Sequence, residues 1–309
     1  MFANHLLKVK YMFFKIIGLA PFTFEDAEKL DECNLKTIKM KHSQLGNLYN
    51  SVLIVLIFIL GAFVFKQLLH NDLPHTTKII DLIYIIKAVV GVVVLLSLWI
   101  IMILYQPKAV KLINTMIENN KMINNNRNMC GVFSLSQFGY QITILNIINW
   151  CIWFGTLVTY PFAYEISLST SIIVYLPAFI SCCLLMQYVI MVELQKKKFF
   201  SLHAAFIKLT NRIGFSDERV ITRIIIELKQ IYEMFYSTTE EIARYYSLPV
   251  FLIIINSCGK IFFLTYNLLH PLIYENSPYK HAKSVTEIHL VFNLIMEGFP
   301  IVVLTYEVT

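Results

Sequence analysis

The stretch IIDLIYIIKAVVGVVVLLSLWIIMILY, Ile79–Tyr105, holds only two charged residues, Asp81 and Lys87. Crossing about 30 Å of hydrocarbon takes roughly 20 helical residues, and this run is longer than that. Its apolar residues form a solid block instead of alternating with polar ones, so it reads as a membrane-spanning helix and not as a barrel strand. Five more runs share this character: Leu48–Leu69, Ile142–Tyr164, Ile166–Leu194, Leu248–Leu269 and Ile288–Tyr306. The fold class is therefore all-α, a polytopic transmembrane helix bundle with six spans in this chain. Composition agrees, since 57% of residues are hydrophobic and 15% charged, against about 25% charged in soluble domains.

Charge fixes an orientation. Of 26 Lys and Arg, 20 fall before the first run or in the second and fourth gaps. The N-terminal segment carries Lys8, Lys10, Lys15, Lys29, Lys36, Lys39 and Lys41. The second gap adds Lys108, Lys111, Lys121 and Arg127, and the fourth adds nine more, from Lys196 to Arg244. Positive charge near spans stays cytoplasmic, so the N-terminus is expected inside. The net charge of +6 sits where a cytoplasmic membrane face puts it, and no nucleic-acid partner is expected.

Four segments follow: 1–47, a cytoplasmic N-terminal segment with an amphipathic helix; 48–194, spans one to four; 195–247, a cytoplasmic amphipathic helical segment; and 248–309, spans five and six. Lys8, Lys10 and Lys15 interrupt Leu6–Leu19, which argues for a helix lying on the inner leaflet or under the bundle and against a cleaved signal peptide. Pro161 and the polar string from Glu165 to Ser171 mark a tight outer hairpin between the third and fourth spans. The second gap, rich in Asn119, Asn120, Asn124, Asn125, Asn126 and Asn128, reads as a surface loop.

The fourth gap has a helix start at Ser216-Asp217-Glu218. Beyond it Ile221, Ile224, Ile225, Leu228, Ile231, Tyr232, Phe235 and Ile242 recur mainly at spacings of three and four. Such an apolar stripe needs a partner. It either covers the bundle or meets another subunit, with Ile221, Ile225, Leu228, Tyr232, Phe235 and Ile242 as the contact candidates.

Catalytic signatures are missing: no phosphate loop, no nucleophile elbow, no metalloprotease helix motif, and no cysteine pair at metal-ligand spacing. An enzyme is not expected, nor a cofactor, a metal site or a disulfide among the six cysteines. Polar groups inside spans are the remaining candidates, because a lysine at the bilayer centre costs roughly 3 kcal/mol or more unless partnered. Lys87, Lys260 and Glu297 either line a water-filled cavity or satisfy themselves as an internal pair or by snorkelling.

Aromatic and amide groups gather toward the outer ends of several spans: Tyr84, Trp153, Tyr160, Tyr164, Tyr175, Tyr266 and Asn267. They suit either a pocket for a small organic molecule or the aromatic belt of any membrane protein. With Lys87 and Glu165, all but Tyr84 form the ligand-binding candidates. His70, His75, His270, His281 and His289 match no metal spacing and read as surface histidines.

Three features together resemble the insect gustatory receptor family, heptahelical chemoreceptors unrelated to G-protein-coupled receptors. The first is Ile16-Ile17-Gly18-Leu19-Ala20-Pro21-Phe22, ahead of the first span. The second is Leu228-x-x-Ile231-Tyr232 followed by Tyr246-Ser247-Leu248-Pro249, leading into the fifth. The third is the inside N-terminus with an expanded fourth gap. The resemblance implies a plasma-membrane, ligand-gated, non-selective cation channel that detects a small tastant. It implies a homo- or hetero-tetramer of related receptor subunits, joined through the region of Ile221–Tyr246, with a tastant pocket in the outer half of each bundle.

The family's seventh span carries Thr-Tyr, five apolar residues and Gln. Here Thr305-Tyr306 ends the sixth run and Glu307-Val308-Thr309 closes the sequence, so the expectation is a truncated gene model or isoform that does not conduct alone. A small-solute transporter or a membrane enzyme is the alternative reading. Matching halves with broken helices would favour the transporter, and acids and histidines gathered at one depth would favour the enzyme.

Overall fold

The computed structural model describes residues 11–26, 38–70, 78–125, 135–164, 166–210, 218–273 and 283–308. These are almost entirely helical. The elements are β1 (Phe22–Asp26), β2 (Ile38–His42), α1 (Gln44–His70), α2 (Lys78–Leu104), α3 (Gln106–Asn125), α4 (Leu135–Tyr164), α5 (Leu168–Thr210), α6 (Glu218–Ile273) and α7 (Lys283–Val308). Of the seven numbered helices all but α3 are long and apolar enough to cross a membrane, giving six candidate spans among the described residues. In hydrocarbon a helix satisfies its own backbone groups, which is why continuous apolar sequence takes this form. Glu165, Ser216 and Asp217 lie outside the described residues, as do Asn126, Asn128, His75 and His281.

The helices differ in how much of their surface they hide. The most apolar stretch of α5 is 67% buried, against 17% for α1. So α5 is the central rod, and α1 turns Val52, Val55, Phe58 and Ile59 outward, as a lipid-facing helix does. The main core joins Leu95, Leu98 and Met102 of α2 to Phe179, Leu184 and Met186 of α5 and Ile253 of α6. Helix α7 lies against α4, α5 and α6.

Two helices run on past their expected spans. α5 continues beyond Leu194 to Thr210, and α6 passes through Ser247-Leu248-Pro249 without interruption. Their extensions pack on each other: Leu228, Ile231 and Phe235 of α6 meet Leu202, Ala205 and Leu209 of α5.

The N-terminal segment is built on a helix cap. Residues 11–16 are helical, and Tyr11, Phe13, Phe14 and Ile17 pack on the main core. The helix stops at Gly18, whose φ is +79°. There Leu19 N–H donates to Phe14 O at 2.8 Å and Gly18 N–H to Lys15 O at 3.1 Å, the two bonds of a Schellman cap. Docking groups surround it: Asn50 Nδ2 donates to Gly18 O at 2.8 Å and Trp99 Nε1 to Ile17 O at 3.1 Å. The passage Ile16–Phe22 thus ties the segment to α1 and α2. Pro21 O sits so close to Gly46 that a Cβ there would lie 2.3 Å from it.

The segment also contains an antiparallel hairpin, β1 with β2, pairing Phe22 with His42 and Asp26 with Ile38. One local reading is corrected: the Asn-rich gap, expected as a surface loop, is helical through Asn125. It is held by tertiary bonds: Asn114 exchanges hydrogen bonds with the Met40 backbone at 2.8 and 3.0 Å, and buried Asn119 donates to Thr238 Oγ1 at 2.8 Å.

Candidate functional site

The end of the bundle away from the hairpin holds a second core made of polar aromatics. α2 supplies Tyr84, α4 supplies Tyr160 and Tyr164, α5 supplies Tyr175 and α7 supplies His289. Each of the five is less than a tenth exposed. Tyr160 and Tyr164 are four apart and share a helix face; so do His289, Asn293 and Glu297 on α7. The rings meet edge-on or tilted, Tyr160 with Tyr175 at 5.0 Å and with His289 at 5.2 Å between centroids, the geometry that ring quadrupoles favour.

Hydrogen bonds give this core a single polarity. The Thr159 hydroxyl donates to Gly155 O at 2.8 Å, so toward His289 Nδ1, 2.9 Å away, it acts as acceptor. His289 then carries its proton on Nδ1 and accepts at Nε2 from the Tyr175 hydroxyl at 2.8 Å. Asn293 Nδ2 donates to that same hydroxyl at 3.1 Å. The chain Asn293, Tyr175, His289, Thr159 is consistent from end to end with a neutral imidazole, an assignment made from its partners. Beside it the Tyr84 and Tyr164 hydroxyls bond each other.

Deeper along the spans lie the charges. Lys260 Nζ donates to Glu297 Oε1 at 2.8 Å and Ser257 Oγ to Oε2 at 2.9 Å, all three residues buried. Lys87 Nζ lies 6.0 Å from the Tyr84 ring centroid and 5.9 Å from that of Tyr175. Lys87, Lys260 and Glu297 border one cavity, with Tyr84, Tyr160 and Tyr175 on its walls. The free space is about 20 Å³, room for one water-sized body. Among the described residues no group of His, Cys, Asp and Glu could hold a metal.

The profile of the 7tm Chemosensory receptor family matches residues 7–308. The chain belongs to that family. The resemblance to gustatory receptors and the family match agree over nearly the whole sequence. No curated protein sequence matches the receptor at a significant level.

In the receptor the ligand-binding candidates separate. Lys87, Tyr160 and Tyr175 border the cavity, and Tyr164 stands in the same aromatic core. Trp153 packs between the two cores, on Phe179 at 4.5 Å. Tyr266 is 53% exposed and faces out of the bundle, whereas Asn267 is buried and neither of its side-chain polar atoms has a hydrogen-bond partner among the described residues. The α6 candidates also divide. Leu228, Phe235 and Ile242 are buried within the subunit, Ile221 is half-buried, and Ile225 and Tyr232 are exposed.

His289 corrects the reading of surface histidines: it is fully buried. With Asn293 it was missed, although polar residues spaced by four in an apolar span, His289, Asn293 and Glu297, mark an inward stripe. Its importance is testable in the receptor. Tyr175→Phe removes one hydroxyl and leaves His289 Nε2 and Asn293 Nδ2 buried without partners, at a cost of about 1–3 kcal/mol. Thermal melting of purified protein should show it; an unchanged melting temperature would mean the chain of bonds contributes nothing.

Proposed function

We propose that the receptor is a subunit of a ligand-gated, non-selective cation channel in the plasma membrane, N-terminus inside, that detects a small tastant. The observation that carries this is the closed polar-aromatic core at the end of the bundle away from the basic segments. A neutral hydrogen-bonded network with flat apolar walls suits a small organic ligand. Its cavity admits one water-sized body, so a tastant fits only when α2, α5, α6 and α7 part. A ligand that binds only the parted arrangement shifts the population toward it, which is the energetic requirement for gating.

The tastant site comprises Lys87, Tyr160, Tyr164 and Tyr175, with Trp153 bordering it. Trp153 stands between that site and the main core, and buried Asn267 belongs to the mouth. Assembly as a homo- or hetero-tetramer uses the face of α6 that the subunit leaves open, Ile225, Ile226, Tyr232 and Tyr236. This orientation puts the lysine-rich segments in the cytoplasm, as the charge bias requires.

The test is whole-cell current under a broad tastant panel, in cells expressing the receptor from its full transcript, with surface expression measured in parallel. The expected result is a tastant-evoked cation current. Tyr160→Ala should raise the half-maximal tastant concentration by about tenfold, the equivalent of 1.4 kcal/mol. Surface-expressed receptor that stays silent, alone and with related subunits, would count against channel function.

A further inference from the structure

We infer that the cavity beneath the aromatic core is a binding site for one small monovalent anion of the size of chloride, held by the Lys87 ammonium. Charge is the first argument. The walls carry two lysines and one carboxylate, and both oxygens of Glu297 are already taken, by Lys260 Nζ and Ser257 Oγ. Among the described residues no carboxylate forms an ion pair with Lys87. One positive charge is left over, inside a span.

That surplus is costly. An ammonium at the bilayer centre costs roughly 3 kcal/mol or more unless partnered, and the half-buried Lys87 side chain borders this cavity within its span. Two ring contacts near 6 Å lie at the outer limit for cation–π attraction and return about 1 kcal/mol or less. A counter-ion removes the deficit directly. Tyr160 borders the same cavity, and its hydroxyl has no protein acceptor among the described residues, leaving it available as a second donor to the anion.

Size is the independent argument. About 20 Å³ of free space excludes an organic ligand in this arrangement but accepts a single body near the size of one water; a chloride ion is only somewhat larger, and small shifts of the lysine and tyrosine side chains on the walls make room for it. The same negative charge could instead arrive as the carboxylate of a larger ligand when the helices part. The inference shares its cavity with the proposed tastant site. It is read by stability rather than by current, so its failure and that of the channel reading are told apart.

Purified receptor in nanodiscs is melted in methanesulfonate buffer while chloride, or bromide, replaces methanesulfonate at constant ionic strength. We expect a saturable rise in melting temperature of about 3 °C or more, kept by Lys87→Arg and lost in Lys87→Gln. A parallel titration with acetate and benzoate separates the sources. If only the carboxylates give a saturable, Lys87-dependent rise, the site stands and its ion is a ligand's carboxylate. The absence of a saturable rise from either class in the wild-type protein overturns the site. So does a rise of equal size in a Lys87→Gln protein that remains monodisperse, because the anion would then bind elsewhere.

Discussion

Glu297→Leu should destabilise the receptor by about 3–5 kcal/mol, the usual cost of stripping one partner from a buried ion pair. Lys260 is 7% exposed and Glu297 4%. Without the carboxylate, the Lys260 ammonium and the Ser257 hydroxyl remain in the span with no acceptor. Adding Lys260→Met should restore most of the loss, since a buried pair replaced by apolar groups of similar volume is often neutral. Melting temperatures of the wild type, both single variants and the double variant form the required cycle. A loss in the double variant equal to the sum of the two single losses would mean the pair is not coupled. The double variant also keeps Lys87 as the cavity's remaining charge, so its folding and its anion response are separate readouts.

Gly18→Ala should cost about 2 kcal/mol or more, from two sources that a second variant separates. The first is backbone strain: a φ of +79° costs an L-residue with a Cβ roughly 1–2 kcal/mol. The second is space, because a Cβ at residue 18 would lie 2.8 Å from Trp99 Nε1 and 3.0 Å from Asn50 Oδ1. Those two side chains also hold the cap, so moving them lengthens the bonds to Ile17 O and Gly18 O. Overpacking of this kind typically costs about 1–3 kcal/mol. Gly18→Asn tolerates the left-handed backbone but keeps the clash, and should therefore recover only part of the loss. Wild-type melting in Gly18→Ala would show that the N-terminal cap does not dock on α1 and α2 as described.

The spans were legible because composition alone decides them. Ile79–Tyr105 and the other runs are too long and too apolar for any other solution, and the structure turns each into a helix. Local structure whose cause is tertiary was not legible. Gln106–Asn125 is rich in Asn, a poor helix former, and it is helical where Asn114 and Asn119 find partners on β2 and α6. The hairpin strands are five residues each. Their alternation, Phe22 and Phe24 then Ile38 and Met40, is too brief to stand out beside charged neighbours.

The candidate site was half legible. Tyr160, Tyr164 and Tyr175 announce themselves as aromatics near span ends, and Lys87 as a charge within one. His289 hid because it lies near the start of an apolar run, where a histidine looks like a boundary residue. Its role depends on Thr159, Tyr175 and Asn293, which come from three helices, and no spacing rule connects them.

The unbroken length of α6 has a mechanical consequence. Its 56 residues make a rod about 84 Å long at 1.5 Å per residue, with Lys260 far from the end at Glu218. A rod of that length acts as a lever arm. A tilt of about 5° with its fulcrum at Lys260 sweeps Glu218 through about 5 Å, one helical pitch. A disturbance at the fulcrum too small to notice beside a side chain would arrive at the far tip magnified into a stroke.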